Sequence, residues 1–155
     1  NGADVDYAAA EGRTLLFVAC QRKDLATART LLENGADVDR ATTNGTTPLL
    51  FAFGTGQFEL AQLLRDNGAD VDYTTNEGRT LLFGTCQDGD VITARSLLES
   101  GADVDRSDDV GATPLHAASE SGKIEAVELL IEHDATINQA DDDGNSPLYY
   151  ACRQD

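Results

Sequence analysis

Two histidines, three cysteines and a run of aspartates are the side chains here that could hold a metal or act as a nucleophile. His116 and His133 have no Cys or carboxylate at the spacing of zinc ligands, and the chain contains no CxxC pair. The aspartates at 141–143 are followed too soon by Gly144 for a calcium loop, and they fit a simple turn. No phosphate-binding glycine loop is recognisable. These residues predict a protein that is not an enzyme and uses no metal or cofactor.

The spacing of glycines indicates that the chain is built from copies of one unit. A glycine recurs at one fixed interval, as Gly12, Gly45, Gly78, Gly111 and Gly144, and the motif NGADVD, or a variant of it, recurs in step. A fixed period in the range of about 20–50 residues is typical of a solenoid, in which each unit buries its apolar face against its neighbours. We expect one domain over 1–155, made of a partial hairpin (1–8), repeats at 9–41, 42–74, 75–107 and 108–140, and a partial fifth repeat (141–155).

The incomplete repeats at both ends, together with the lack of any Met, predict a piece cut from a longer protein. The fifth repeat has no second helix, so we expect a bare apolar face around Leu148 and Tyr150. The last helix should then open first in hydrogen exchange. A monomer is expected, and end-to-end contact through this uncapped terminus is left open.

The cysteines recur at twice the interval of the glycines, as Cys20, Cys86 and Cys152. Neighbouring helices pack about 8–10 Å apart, so thiols two repeats apart lie roughly 16–20 Å from each other. A disulfide requires Cα atoms within about 7 Å. We therefore expect three unpaired, buried thiols, which favour a reducing compartment and an intracellular, cytoplasmic protein, with the nucleus as an alternative.

The fourth repeat, 108–140, shows the structure expected of each unit. A DDVG turn precedes Thr113, a good N-cap, and Pro114, which suits the first position of a helix. Gly122 ends this helix, and a second apolar helix begins at Ile124. The ADVD-type segment then extends outward as half of a hairpin.

With TPLH at 113–116, TPLHAASESG in the fourth repeat and the GADVD hairpins, the whole chain closely resembles the ankyrin-repeat family. The resemblance implies an all-α fold, an ankyrin-type α-solenoid of stacked helix-turn-helix units with projecting β-hairpin loops. It implies that His116 hydrogen-bonds backbone between repeats. It also implies that Asn138 stands at a place where an asparaginyl hydroxylase can modify Asn.

Two departures from the family pattern and one longer period accompany this resemblance. Lys23 and Asp134 stand where sister repeats carry Gly. The segment EGRTLLF occurs at 11–17 and again at 77–83, so odd repeats resemble odd repeats, and a block of two repeats has been duplicated.

For function, the resemblance implies a non-catalytic protein-protein interaction module that binds a partner in its concave groove. The alternative is a structural or regulatory arm packed within a larger enzyme, channel or effector protein. The positions that vary in the family supply the candidate partner-binding residues, which are Tyr7, Arg13, Arg40, Tyr73, Glu77, Arg79, Asp88, Arg106, Asp109, Glu120, Asp142 and Asp143.

The hairpin tips alternate Tyr7, Arg40, Tyr73 and Arg106, and both residue types are enriched at binding hot spots. The alternative is that each Tyr stacks on a neighbouring Arg and only covers backbone. The paired aspartates of the hairpins are expected mainly to bond turn backbone.

The net charge of −17 disfavours nucleic acid and anionic membrane surfaces as partners, because phosphate contacts require Lys and Arg. The acidity is concentrated in residues 78–155, which carry 16 acidic and 5 basic side chains. A Lys- or Arg-rich peptide is therefore the predicted partner. A role in solubility alone is the alternative. No segment is apolar over the length needed to span a membrane.

Overall fold

The computed structural model describes residues 5–75 and 77–153. The chain divides into two compact bodies, Asn1–Asp70 and Val71–Asp155, referred to below as the first and second body. Each is considered by itself. The described residues are helical, with turns between the helices and no β-strand among them.

Helices come in pairs in both bodies. The first body holds a short 3-10 turn at Ala10–Gly12 and the helices α1 (Leu15–Gln21), α2 (Leu25–Glu33), α3 (Pro48–Gly54) and α4 (Phe58–Asp66). The second body holds α5 (Leu81–Asp88), α6 (Val91–Glu99), α7 (Pro114–Glu120), α8 (Ile124–Glu132) and α9 (Pro147–Cys152). The pairs α1 and α2, α3 and α4, α5 and α6, and α7 and α8 each pack together within one repeat. Helices of successive repeats also pack together. In the first body α1 packs on α3; in the second body α7 packs on both α5 and α9, and α6 packs on α8.

A buried threonine is the N-cap of each of the first helices α1, α3, α5 and α7. The side-chain oxygens of Thr14, Thr47 and Thr80 accept the N–H three residues later, at 3.2, 3.1 and 3.1 Å. An N-cap of this kind contributes about 1 kcal/mol. In α7 the N-cap is Thr113 and Pro114 is the first helical residue, as the sequence predicts. Leucines of the paired helices then fill the core, and the largest fully buried side chains include Leu16 and Leu64 in the first body and Leu97 and Leu129 in the second.

The second helices differ in their caps. Asp24 accepts the N–H of Thr27 at 3.0 Å and its hydroxyl at 2.6 Å, and these bonds, the hydroxyl above all, hold the pKa of that carboxyl below its usual range. Asp90 caps α6 in the same way, at 3.1 Å from the N–H of Thr93. Gln57, at the start of α4, makes no such bond, and its buried Oε1 has no hydrogen-bond partner in the described structure.

Lys23 and Asp134 adopt the backbone conformation that glycine adopts in the sister repeats. Their φ angles are 57° and 65°, whereas Gly56 and Gly101, at the corresponding places, have 67° and 89°. A side chain in this left-handed region costs about 1–2 kcal/mol. The period of the repeat therefore imposes the local backbone, even where the residue does not favour it.

The end of the second body corrects two expectations. Leu148 is 67% exposed and Tyr149 50% exposed, so an apolar face is bare there, as predicted. Tyr150, however, is half-buried, because its hydroxyl donates to Asp141 Oδ2 at 2.6 Å and its ring packs edge-on against His116. Cys152, expected to be buried, is exposed, because α9 packs on α7 and nothing described covers its other side.

Candidate functional site

The turns that precede the first helices stack on one another in the second body. The N–H of Asp109 donates to the carbonyl of Glu77 at 3.3 Å, and one repeat later the N–H of Asp142 donates to the carbonyl of Val110 at 3.1 Å. The turns are close enough that a Cβ on Gly78 would lie 2.8 Å from the Asp109 nitrogen. Both aspartates are exposed. Their carboxylates are therefore presented to solvent from a fixed backbone.

Arg79 is held among carboxylates and an aromatic ring in the same body. Its guanidinium lies 3.1 Å from Glu77 and 3.5 Å from Asp108, and its Cζ is 5.1 Å from the centre of the Phe83 ring. Asp108 is buried and also accepts the N–H groups of Val110 and Ala112. Arg79, a predicted partner-binding residue, is thus largely committed within its own body.

Asp108 is the residue of this cluster that the sequence interpretation missed. The sequence predicts its neighbour Asp109 as a binding residue, because Asp109 stands at a variable turn position. The signal that could have identified Asp108 is that Asp141 occupies the same position of the following repeat and bonds its own turn in the same way, to the N–H groups of Asp143 and Asn145.

The remaining acidic candidates of the second body are exposed as well. Asp88 ends α5 and Glu120 ends α7, while Asp143 lies in the turn before α9. In the described part of this body, the salt bridges join Arg79 to Glu77 and Asp108, and Arg95 to Glu132. The charges of Asp88, Glu120 and Asp143 are not consumed by these pairs.

The first body carries a groove bounded by α1, α3 and the turns before them. It measures about 510 Å³ and is lined by Glu11, Arg13, Phe17, Gln21, Thr42, Thr43, Asn44, Thr46 and Phe51. Phe17 and Thr42 are its buried floor, and the Phe17 and Phe51 rings lie 5.2 Å apart. Arg13 pairs with Glu11 at the rim. Phe17 and Phe51 were not among the predicted site residues.

The fingertip residues are positioned by carboxylate bonds between successive loops. Asp6, Asp39, Asp72 and Asp105 each accept the backbone N–H 31 residues later, at 2.9–3.2 Å. Burial raises the pKa of Asp39, even though the Asp70 N–H opposes the shift. The expectation that hairpin aspartates bond loop backbone is confirmed for these four, and Asp4 lies outside the described residues. These bonds take the place of the predicted hairpin strands in the described loops.

At the tips themselves, Tyr7, Arg40 and Arg106 are exposed and Tyr73 is half-buried. Across residues 5–75 and 77–153, the cation–π contact found is that of Arg79 over Phe83. The described structure thus gives no support to the alternative in which each fingertip Tyr stacks on an Arg. Partner binding by these tip residues stays a prediction. Asn138 is exposed, and its hydroxylation also stays a prediction.

His116 and the cysteines are structural in their surroundings. His116 is buried, its Nδ1 accepts the Thr113 N–H at 3.0 Å, and its Nε2 lies 3.2 Å from the carbonyl of Asn145 in the next repeat. The implied bond between repeats is confirmed. Burial raises the pKa of Cys20 and Cys86 to about 12, which suppresses thiolate formation. In the described part of the chain, no group of three or more His, Cys, Asp or Glu could hold a metal ion.

Comparison with protein families identifies this architecture. The family model of ankyrin repeats (3 copies) matches residues 1–75 and 82–155. The chain belongs to the ankyrin-repeat family, and its fold is the all-α ankyrin type. A search of curated proteins gave no match. None of the helices described is long and apolar enough to cross a membrane.

Membership of this family defines the class of function. Ankyrin repeats are generally protein-protein interaction modules and are typically non-catalytic. The family does not specify the partner, because one fold hosts many functions and the residues of the site decide among them.

Proposed function

We propose that the second body binds a Lys- or Arg-rich segment of a partner protein through the exposed carboxylates of Asp88, Asp109, Glu120, Asp142 and Asp143. The stacked turns are the observation that carries this proposal. Their backbone is fixed by hydrogen bonds from one turn to the preceding one, so the Asp109 and Asp142 carboxylates need little ordering when a partner arrives.

The charge of the second body supports the same conclusion. Its sequence carries 18 acidic and 5 basic side chains. Arg79, which lies beside the stacked turns, is already paired with Glu77 and Asp108. A basic segment would therefore meet an uncompensated negative field, which raises the association rate and the specificity more than the affinity.

The test is a titration of the chain into a fluorescein-labelled peptide of alternating Lys, Arg and Ser, followed by anisotropy. Asp109→Lys combined with Glu120→Lys is expected to weaken binding about 2- to 30-fold, because each exposed pair contributes about 0.2–1 kcal/mol. Raising the salt concentration should weaken binding by the parent chain.

Glu99→Lys combined with Glu125→Lys is the matched control. Both residues are exposed, on the second helices α6 and α8, and the pair changes the net charge by the same amount. Equal weakening by the two double variants would mean that overall charge, and not this surface, attracts the peptide. Binding that responds to neither substitution nor salt would refute the proposal.

A further inference from the structure

The duplicated block provides two versions of one groove for comparison. Glu11, Arg13 and Phe17 in the first body correspond, two repeats later, to Glu77, Arg79 and Phe83 in the second. The first half of the groove is therefore the same in both. The second half comes from the next repeat, where Thr42, Thr43 and Phe51 correspond to Asp108, Asp109 and Ala117.

The second half decides what the arginine does. In the second body, buried Asp108 fixes Arg79 so that its guanidinium covers the face of Phe83. In the first body, Thr42 has no charge and bonds its own turn, to the carbonyl of Thr46 at 3.1 Å. Arg13 pairs with Glu11, and both side chains are well exposed. Such a surface pair contributes little, so Arg13 is free to exchange its partner at low cost.

The second half also supplies the floor of the groove. Phe51 is half-buried and inclined at 56° to Phe17, with a ring-to-ring distance of 5.2 Å. Ala117, its counterpart, offers no ring. The volume of about 510 Å³ lies within the range of ligand pockets, and the hydroxyl and amide groups of Thr43, Thr46 and Asn44 form a polar rim.

We propose that this groove of the first body is a binding site for an aromatic side chain of the partner protein, with Arg13 closing over the bound ring. Glu11 and Arg13 are the charged side chains that line the groove, and their opposite charges cancel. A neutral group therefore fits the groove better than a cation. A third ring can pack against Phe51 in a tilted arrangement. The Arg13 guanidinium can then stack on the outer face of the bound ring, by the same kind of cation–π contact that Arg79 makes with Phe83 in the second body. The proposal rests on the proposed function only in that the ring belongs to a protein.

The probe is N-acetyl-tryptophanamide, titrated at millimolar concentration into the 15N-labelled chain. We expect it to shift the amide signals of Gln21, Thr43, Asn44 and Phe51, and N-acetyl-leucinamide to bind there at least about threefold more weakly, because it lacks the ring interactions. N-acetyl-lysinamide should leave these signals in place. Because the chain contains no Trp, the fluorescence of the probe gives an independent binding curve.

Thr42→Asp is the decisive variant. The introduced carboxylate should capture Arg13 as Asp108 captures Arg79, and weaken probe binding about threefold to tenfold. The variant is expected to fold, because Asp108 and Asp141 already occupy this position in other repeats and bond their own turns. Thr75 has the same place in the third repeat, which lies in the second body. Thr75→Asp is therefore the matched control and should leave probe binding unchanged.

Phe51→Ala supplies a second, independent test, since Ala is the residue that the second body carries at this place. Phe51→Ala should weaken the binding of the probe by a similar factor. Probe binding that survives both Thr42→Asp and Phe51→Ala, or shifts confined to the second body, would overturn the inference.

The two proposals fail separately. The basic peptide reports on Asp109 and Glu120, and the ring probe reports on the first body. A chain that binds the ring probe but not the basic peptide would retain the aromatic site and lose the proposed basic partner.

Discussion

Gly78 tests whether the stacked turns depend on the close approach of one turn to the next. Its φ of +72° disfavours any side chain, and a Cβ there would lie 2.8 Å from the Asp109 nitrogen and 2.4 Å from an Asp109 side-chain oxygen. The carboxylate can rotate away, but the nitrogen belongs to the backbone. Gly78→Ala must therefore push the next turn outward and stretch the bond from the Asp109 N–H to the carbonyl of Glu77, already 3.3 Å long.

Two other glycines allow the contributions to be separated. A Cβ on Gly111, whose φ is +77°, would lie 2.9 Å from the Asp142 nitrogen, whereas a Cβ on Gly144, whose φ is +81°, would meet no described atom within 4 Å. Gly144→Ala thus carries only the backbone strain of about 1–2 kcal/mol, less about 0.4–1 kcal/mol gained by restricting the unfolded chain. Gly78→Ala and Gly111→Ala add an overpacking cost of about 1–3 kcal/mol.

Urea unfolding followed by far-UV circular dichroism measures the difference. With a slope of about 2 kcal/mol per molar urea, the midpoint should fall by at most about 0.8 M for Gly144→Ala, and by about 0.5–1.5 M more than that for the other two variants. In addition, Gly78→Ala should weaken the binding of the basic peptide, because the substitution displaces Asp109. Equal midpoints for all three variants would refute the reasoning, since strain alone would then account for the loss.

Three further predictions follow from single contacts. Gln57→Asp should stabilise the chain by about 1 kcal/mol in urea unfolding, because it supplies the missing N-cap of α4 and removes an unpaired buried oxygen. Tyr150→Phe should lower stability at pH 6, because the Tyr150 hydroxyl is the main cause that holds the pKa of Asp141 below its usual range. A lowered carboxyl pKa stabilises the fold above the unfolded value of about 3.9 and loses that effect as pH falls through the folded value. The difference in free energy of unfolding between Tyr150→Phe and the parent chain should therefore be smaller at pH 3 than at pH 6. A larger difference at pH 3 would contradict this account. Iodoacetamide should alkylate Cys152 rapidly and the two buried thiols only on unfolding, as mass spectrometry would show; three equal rates would exclude the described packing.

The repeat pattern was sufficient to predict the helices, because the period fixes backbone geometry. Pro114 begins α7, and His116 bonds the next repeat, as the sequence indicated. Lys23 and Asp134 show how strong this constraint is, since both adopt positive φ where the pattern calls for Gly. A positional rule that applies to every copy can be read from one sequence.

Side-chain partners could not be predicted in the same way, because they depend on which residues two successive repeats bring together. The sequence predicts Arg79 as a partner-binding residue, yet its guanidinium pairs with Asp108 of the next repeat. Cys152 shares its position in the repeat with two buried cysteines, yet it is exposed. Position within a repeat predicts the backbone, and the neighbouring repeat determines burial and charge.

The same dependence on neighbours explains how one duplicated block can present two kinds of surface. The odd repeats bring an identical Glu-Gly-Arg-Thr-Leu-Leu-Phe segment, so they contribute the same arginine and the same ring to both bodies. Among the differences between the even repeats, Asp108 in place of Thr42 puts one charge beside the arginine. In the second body that charge pairs with Arg79 at 3.5 Å, and the acidic turns stay exposed. In the first body its absence leaves the arginine at the rim of an open groove with an aromatic floor. Exchange of Thr42 and Asp108 should therefore hold Arg13 and release Arg79, while the ring at the floor of the groove stays with the first body, because Phe51 corresponds to Ala117.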